Sequence, residues 1–292
     1  MAATDINRTS TISLPGAVSG EILQKTQESS AVMSLARQIP LPGLGVTIPV
    51  ITGDPEAAWV GETEKKKVSA SSLTTKILQP YTLAVIVPFS NQFRRDVPAL
   101  YNELVKRLPL ALAQKFDATV FGGVDVPGSN FDTLKDCTAQ EIGTNAYPGL
   151  VAADADIAAH NGILNGWVLA PQGKAVLLNA VDGNKRPLFL NNVAEGAVPM
   201  ILGAKTLQSK GAYIADSTAA KKNVVGFAGD WTQAVYGTVE GVQIAIADQA
   251  TLTSGSETIN LFQQNMFAVR AEIEVGFRCD TSVFNKLTRT SA

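Results

Sequence analysis

One stretch of the chain repeats apolar residues every three to four positions, between residues 97 and 121. The apolar stripe consists of Leu100, Tyr101, Leu104, Val105, Leu108, Leu112, Phe116 and Val120. This spacing predicts an amphipathic helix of about 25 residues that buries one face along its whole length. We expect Asp96 to cap the helix and Gly122 and Gly123 to end it. Pro109 is expected to bend it, because proline removes one backbone hydrogen bond.

Two further segments alternate apolar and polar residues at period two, the pattern of a half-buried strand. The alternation near the end of the chain has its apolar positions at Phe267, Val269, Ala271, Ile273, Val275 and Phe277. The residues between them include Arg270, Glu272 and Glu274, so the opposite face of this strand is expected to meet solvent. The second segment, residues 73–89, has its apolar positions at Leu83, Val85, Val87 and Phe89.

Residues 54–90 are predicted to form a long β-hairpin whose second arm is the segment 73–89. Its tip, residues 62–72, contains Glu62, Glu64, Lys65, Lys66, Lys67 and several small polar residues. Each arm of about 15 residues spans roughly 50 Å at about 3.3 Å per residue. A compact chain of this length has a radius of gyration of about 19 Å. Because a projecting hairpin is marginal on its own in water, we expect it to contact a neighbouring molecule.

The rest of the chain mixes helical and strand-like segments, which predicts an α+β fold. Helices are predicted at residues 20–37, 154–164 and 172–180, and strands at 46–51, 167–170, 200–207, 224–227, 234–236 and 242–247. The prolines and glycines of residues 40–45 are expected to break the first helix, and residues 124–150 are expected to be rich in loops.

Composition and charge exclude several classes of protein. The net charge of −2, from 24 basic and 26 acidic residues, argues against a nucleic-acid binder that relies on a strongly basic surface. No run approaches the ~18 apolar residues of a membrane span, and residues 1–14 lack the apolar core of a signal peptide. Cys137 and Cys279 predict two unpaired thiols rather than a disulfide framework.

The chain carries little of the chemistry that catalysis needs. Its one histidine, His160, lies in a predicted helix without a nucleophile-elbow motif, so no Ser-His-Asp or Cys-His arrangement is expected. One His and two Cys that are distant in sequence give no metal-ligand spacing, and no phosphate-binding loop is present. We therefore predict a protein that is not an enzyme, with no catalytic residues, no cofactor and no bound metal.

The order of these pieces resembles the major capsid proteins of tailed bacteriophages, which share the Hong Kong 97 fold. The residues that carry the resemblance are Trp59-Val60 with Glu62, Pro88-Phe89-Ser90, Asn91 to Asp96, Phe116-Asp117-Ala118, Gly122-Gly123, Trp167-Val168-Leu169, Gly226 to Trp231, and Asn265 to Arg270. Each motif is weak alone, whereas their order and spacing over residues 40–288 are fairly specific.

The resemblance implies a subunit with four parts. Residues 1–52 would form an N-terminal arm, and residues 53–90 an extended loop, the β-hairpin. Residues 91–150 and 251–292 would form a peripheral domain that contains the long spine helix, and residues 151–250 an axial domain. Many relatives carry a long N-terminal scaffolding segment, whereas the predicted hairpin of this chain begins only about fifty residues after Met1. Scaffolding for assembly would therefore come from a separate protein or would not be needed.

The resemblance also implies partners and a location. Identical subunits would form the hexamers and pentamers of an icosahedral shell around double-stranded DNA, without sequence specificity and without a membrane. Portal, scaffolding or decoration proteins would be further partners. The protein would be part of the virion, assembled in the cytoplasm of the bacterial host. Trp59 and the charged residues Glu62, Glu64, Lys65, Lys66 and Lys67 are the predicted subunit contacts.

Three alternatives stay open from the sequence. An encapsulin, the shell subunit of a bacterial compartment with the same fold, would enclose protein rather than DNA. A surface-binding or adhesin-like module would be a monomer, and a hydrolase would need residues that the chain lacks. For Trp59, a place in the core of its own chain is nearly as plausible as a place at an interface.

Overall fold

The described part of the computed structural model comprises residues 16–43, 45–51, 59, 65, 73–92, 97–189, 198, 200–218, 222–254 and 257–290. Its α-helices are α1 (Gly16–Ser29), α2 (Ala31–Leu35), α3 (Val97–Val120), α4 (Ala146–Ala159) and α5 (Pro171–Leu178). Its strands are β1 (Arg37–Pro40), β2 (Val46–Ile51), β3 (Leu73–Leu78), β4 (Tyr81–Ser90), β5 (Thr138–Glu141), β6 (Gly166–Leu169), β7 (Met200–Ile201), β8 (Ala204–Gln208), β9 (Lys222–Gly229), β10 (Ala234–Thr238), β11 (Gln243–Ala247), β12 (Thr251–Ser254), β13 (Glu257–Asn260), β14 (Met266–Cys279) and β15 (Phe284–Thr290).

The predicted long helix is confirmed as α3, and it packs with its apolar stripe inward. Leu104, Leu108 and Leu112 are fully buried against the inner face of a five-stranded sheet. The helix contains Pro109, as expected, and ends before Gly122, whose positive φ of 82° suits a residue without a side chain. The Gly123 amide then donates to the Ala118 carbonyl, which closes the end of the helix.

The five-stranded sheet is organised around β14, the predicted terminal strand. On one edge β14 pairs antiparallel with β4, and on the other edge it pairs with β11 and then with β10, which β1 extends in parallel. The apolar positions of β14 that the alternation predicted are buried, whereas Arg270 and Glu274 are exposed on the opposite face. Only one face of this sheet is therefore covered by helices α1 and α3.

A six-stranded sheet with the order β5-β15-β9-β6-β8-β7 forms the second half of the protein. Both of its faces are buried. One face contributes Val168 and Phe227 to the core that Phe121 and Trp231 share, and the other contributes Trp167 and Leu169 to the core beneath α4 and α5. Burial on both faces explains why β6 is apolar throughout rather than alternating.

Several predicted elements begin or end elsewhere than expected. The strand-like segment 73–89 divides at Gln79 and Pro80, so β4 joins the five-stranded sheet and only β3 pairs with β2. The helix predicted at 154–164 begins at Ala146, because Pro148 in its first turn costs no hydrogen bond. The strand predicted at 200–207 is the β7–β8 hairpin, turned by Leu202 and Gly203 at positive φ.

The predicted helix at 20–37 is divided into α1 and α2, which Ser30 separates. Ile22 on α1 and Val32 on α2 are fully buried, and α1 packs along α3. Most of the described part of residues 1–52 therefore packs on the body of its own chain, and only β2 continues away from it.

Strand pairing also crosses the predicted boundary at residue 250. Strands β10 and β11 precede that boundary but pair with β14, and β15 follows it but pairs with β9. Long-range pairing of this kind leaves no signal in local sequence, because each strand alone has the same local pattern in either sheet. The predicted cap Asp96 lies outside the described residues.

Candidate functional site

Strands β2 and β3 form a two-stranded ladder that is separate from the two large sheets and flanks the predicted extended loop. Strand β2 pairs antiparallel with β3, from Val46 opposite Leu78 to Ile51 opposite Leu73. At the body end, Leu78 is fully buried and packs with Leu41 and Val235. The ladder is therefore anchored at one end by apolar packing, and its other end leads into the loop.

Asp132 anchors the ladder through two cationic groups. Its carboxylate accepts hydrogen bonds from Arg278 Nη1 at 2.7 Å and from Lys76 Nζ at 3.3 Å, and it also accepts the Cys279 amide at 3.1 Å. The Arg278 and Asp132 side chains are only 11% and 19% exposed, so this ion pair is better shielded than a surface pair. Lys76 lies on β3, and Arg278 lies on β14. The carboxylate thus ties the loop ladder to the central strand of the sheet.

A set of hydrogen bonds extends this anchor toward the start of β4. Arg278 Nε donates to the Ile77 carbonyl at 2.8 Å, and Arg278 Nη2 donates to Asn130 Oδ1 at 2.7 Å. Asn130 in turn donates from Nδ2 to Gln79 Oε1 and from its backbone amide to the Tyr81 hydroxyl. We call the group Lys76, Gln79, Tyr81, Asn130, Asp132 and Arg278 the loop clamp. Its bonds hold β3 and the start of β4 against the end of β14.

The predicted contact residues of the loop are only partly described. Trp59 is fully exposed, with a relative accessibility of 104%, and Lys65 is exposed as well. The alternative that placed Trp59 in the core of its own chain is therefore wrong. Glu62, Glu64, Lys66 and Lys67 lie outside the described residues, so their predicted role in subunit contact stays a prediction.

Asp117 on α3 forms a second polar junction, in the interior. Its carboxylate accepts hydrogen bonds from Ser30 Oγ at 2.5 Å, from Ser209 Oγ at 2.8 Å and from the Ala31 amide at 3.0 Å. The side chain is 1% exposed, and burial raises its pKa although these donors act in the opposite direction. Ser30 caps α2 and Ser209 follows β8, so Asp117 joins the N-terminal segment, the long helix and the six-stranded sheet.

Cys137, Cys279 and His160, the remaining candidates for chemistry, do not lie together in one site. Cys137 and Cys279 are free and buried, and burial raises the pKa of Cys137 to about 12 and that of Cys279 well above its ordinary value. His160 is exposed at the end of α4, where Nδ1 lies 2.9 Å from the Asp156 carbonyl.

Among the described residues, no three His, Cys, Asp or Glu side chains converge on a metal-sized site. Within the same residues, no helix has the length and apolar character to cross a bilayer.

Sequence reasoning did not identify the loop clamp or the Asp117 junction as sites. Arg278 was recognised only as part of an alternating strand, and Asp132 lies in a stretch predicted to be a loop. Asp117 was noted only within a motif. The partners of Asp132 and Asp117 are 56 to 147 and 85 to 92 positions away in sequence. No local pattern could have brought them together.

Comparison with known proteins gives a consistent result. A model of the Phage capsid family matches residues 12–281. The probable major capsid protein gp17 of Mycobacterium phage L5 is 31% identical over 288 residues, covering 92% of this chain and 86% of that protein. The corresponding protein of Mycobacterium phage D29 is 28% identical, covering 90% and 86%.

Solved structures with the same fold come from similar sources. A chain of Gordonia phage Cozz superposes with a TM-score of 0.71 at 20% identity, covering 90% of this chain and 87% of that chain. A chain from the capsid of a native GTA particle gives a TM-score of 0.64 at 14% identity and covers 99% and 96%. These likenesses establish a shared mixed helix-and-sheet fold.

Proposed function

The chain belongs to the phage capsid family, and on this premise we propose that it is the major capsid protein of a bacteriophage. It is a structural subunit of the virion. The two relatives described above are probable major capsid proteins of phages, and one of the two solved structures is from a GTA capsid, so the encapsulin alternative is not favoured. The adhesin-like and hydrolase alternatives have no support among them.

The proposal extends to the Hong Kong 97-type arrangement of the subunit. Helix α3 acts as the spine, residues 53–90 include the extended loop, and residues 151–250 provide most of an axial domain. Because β10 and β11 pair with β14, we assign them to the peripheral part, which otherwise comprises residues 91–150 and 251–292. Residues 1–52 are the proposed N-terminal arm, and its described part from α1 to β1 packs on the body of its own chain.

Assembly is the proposed mechanism, without catalysis. The loop of one subunit lies over its neighbour, and weak contacts repeated around closed symmetry produce hexamers and pentamers of an icosahedral head. The head encloses double-stranded DNA without reading its sequence, in keeping with a net charge of −2. Portal, scaffolding or decoration proteins complete the particle, which is assembled in the host cytoplasm.

The observation that carries the assembly mechanism is the contrast between the loop clamp and Trp59. A network of ionic and neutral hydrogen bonds holds the base of the loop in one direction. Trp59, a large apolar side chain of this loop, is fully exposed. Tryptophan is enriched at the centres of protein interfaces, so an exposed indole on a directed loop suits a subunit contact.

The test is assembly of the chain expressed alone, followed by sedimentation and negative-stain microscopy. Shells, tubes or hexamers are expected, and a stable monomer of 30.8 kDa at high concentration would contradict the proposal. Deletion of residues 62–72 is expected to abolish closed shells while the circular dichroism and unfolding temperature of the subunit stay the same. Closed shells formed by the deletion variant would show that the loop tip is not a contact.

A further inference from the structure

An apolar pocket of about 210 Å³ opens between α3, β4 and the segment that follows α3. Its floor consists of buried side chains, notably Phe116, Phe131 and Val275, with Leu83 beside them. Tyr81 forms part of the wall and also belongs to the loop clamp. The pocket therefore lies directly beside the base of the extended loop, on the body of the subunit.

A few polar residues complete the lining. Lys115 and Asp125 are exposed and mark the pocket mouth, whereas Thr119 is buried, and Thr82 and Tyr81 also contribute. An apolar floor with a few convergent polar groups is the usual composition of a specific binding pocket. Pro127 on the lining and the adjacent Val126 are exposed, so the apolar surface continues beyond the mouth. A matching side chain should be large and apolar, with one hydrogen-bond donor.

Trp59 meets this description. An indole carries one N–H donor, which is usually paired when the ring is buried. The carboxylate of Asp125 and the hydroxyl of Thr119 are acceptors within the pocket lining. Other tryptophans of the chain do not compete, because Trp167 and Trp231 are buried and already donate to the carbonyls of Ile201 and Gly166.

The charge of the loop around Trp59 also suits this location. Residues 54–64 contain Asp54, Glu56, Glu62 and Glu64 and no basic residue. Lys115 at the pocket mouth is exposed, and none of the ion pairs found among the described residues includes it. Asp125 at the same mouth and Lys65, Lys66 and Lys67 directly after this acidic segment give both partners charges of both signs, so opposite charges can pair and orient the loop.

We propose that the pocket of Phe116, Phe131 and Val275 receives Trp59 from the extended loop of a second copy of this chain. The inference rests on the proposed function and names the acceptor site of the loop contact. A second copy is required because Trp59 is fully exposed in the single chain while its own pocket stays open. Each subunit then carries one Trp59 side chain and one pocket that receives it, which we call the socket. Contacts of this kind can continue head to tail around a ring.

Acrylamide quenching of tryptophan fluorescence tests the burial of Trp59. In dissociated subunits, the difference between the native chain and Trp59→Phe should show one accessible indole. In assembled particles this accessible component should fall severalfold. Particles that form normally while Trp59 remains as quenchable as in the subunit would overturn the inference and leave the proposed function intact. Failure of the native chain to assemble counts against the proposed function instead.

Disulfide trapping tests the pocket itself. Trp59 and Asp125 are both exposed, so replacing either one with cysteine should not disturb folding. Chains with Trp59→Cys are mixed with chains carrying Asp125→Cys, assembled and oxidised. The native thiols are buried and should not react. We expect a band of twice the 30.8 kDa subunit mass. Asp154→Cys, an exposed position on α4 outside the pocket, is the matched control.

Three outcomes of the trapping experiment would overturn the inference. They are an equal yield with the Asp154→Cys control, no crosslink in well-formed particles, and a crosslink within one chain when both substitutions are placed in the same subunit and diluted below assembly. The last outcome would mean that the loop fills its own socket. A yield that is specific to Asp125→Cys and lost on dissociation supports contact between two copies.

Discussion

The two large sheets of this protein differ in how many of their faces are covered. The six-stranded sheet is buried on both faces, with Trp167 and Phe227 in separate cores. The five-stranded sheet buries one face against α1 and α3. Its other face is covered at the β10 end, where Val235 packs on Leu41 and Leu78, but leaves Ile86, Arg270 and Glu274 exposed. Paired strands thus have different roles in the two sheets. One sheet stabilises the subunit from both sides, and the other retains a face on which a neighbouring subunit can lie.

The largest effect is expected in the doubly covered sheet, from Phe227→Ala. Phe227 is fully buried and stacks on Phe121 with ring centroids 4.7 Å apart. Removing a buried ring of this kind costs about 3–5 kcal/mol of unfolding free energy. Urea unfolding of the dissociated subunit measures it. Phe262→Ala, at a position 76% exposed, is the matched control and should leave stability unchanged. Equal losses for the two variants would remove the distinction between covered and open regions.

The next effect concerns the junction between the long helix and the six-stranded sheet. Asp117→Ala leaves the Ala31 amide and the hydroxyls of Ser30 and Ser209 without their acceptor. Each buried group stranded in this way costs about 1–3 kcal/mol, so a loss of about 3 kcal/mol is expected. Asp154→Ala, at an exposed site on α4, is the control for the same change. An unfolding midpoint unaffected by Asp117→Ala would show that the junction is dispensable.

Asp117 should also give stability a characteristic dependence on pH. Burial raises its pKa in the folded state above the 3.8 of an unperturbed carboxyl, so the folded chain holds this proton more tightly than the unfolded chain. The contribution of Asp117 to stability is therefore present below pH 3.8 and is lost as pH rises through the folded pKa. The difference in unfolding free energy between the native chain and Asp117→Asn should fall over that window. A difference that rises with pH would contradict the sign.

A smaller effect distinguishes two arginines on the same strand, β14. Arg278→Ala breaks a shielded pair with Asp132 and the bond to the Ile77 carbonyl, so a cost of about 2 kcal/mol is expected. Arg270, whose side chain is 51% exposed, pairs with Glu272 on the open face. Exposed pairs contribute about 0–1 kcal/mol, so Arg270→Ala should change stability little. Thermal unfolding of both variants gives the comparison, and a larger loss for Arg270→Ala would reverse it.

The smallest change in subunit stability is expected on the open face itself. Ile86 on β4 is 49% exposed and points away from the helices. Ile86→Ala should change the unfolding free energy by about 0.5 kcal/mol or less. Ile273→Ala, on the buried face of β14, should cost about 2–5 kcal/mol. If Ile86→Ala impairs shell formation while the subunit stays stable, the open face is a contact surface in the particle.

Much of the fold was predictable where the local pattern is strong. The stripe of α3 and the alternation of β14 each specify an element and its buried face, because their large apolar residues recur with the period of that element. The prediction was weaker where both faces are covered, since an apolar run such as β6 has no period to read. It failed at the division of residues 73–89, because pairing with β14 rather than with β2 depends on a strand almost 200 positions away.

The candidate site was less accessible than the fold. The sequence predicted an extended loop and left Trp59 either at an interface or in the core of its own chain, and the structure shows Trp59 exposed. The loop clamp was not, because Asp132, Arg278 and Lys76 are ordinary surface residue types in sequence. They acquire a role only because the Asp132 carboxylate lies 2.7 Å from Arg278 Nη1 and 3.3 Å from Lys76 Nζ. The pocket likewise combines Phe116, which the sequence indicated only as part of the helix stripe, with Phe131, which lies in a stretch predicted to be loop.

By itself, the sequence determined the class of the protein and the elements that repeat with a local period. It specified an α+β chain with a long amphipathic helix and a half-buried terminal strand, and its motifs resembled those of phage capsid proteins. The tertiary structure alone decided which strands share a sheet, which sheet keeps an open face, and how the loop is clamped. The physical reason is that hydrophobic period is a local property. Strand pairing, charge convergence and cavities arise from contacts between residues far apart in the chain.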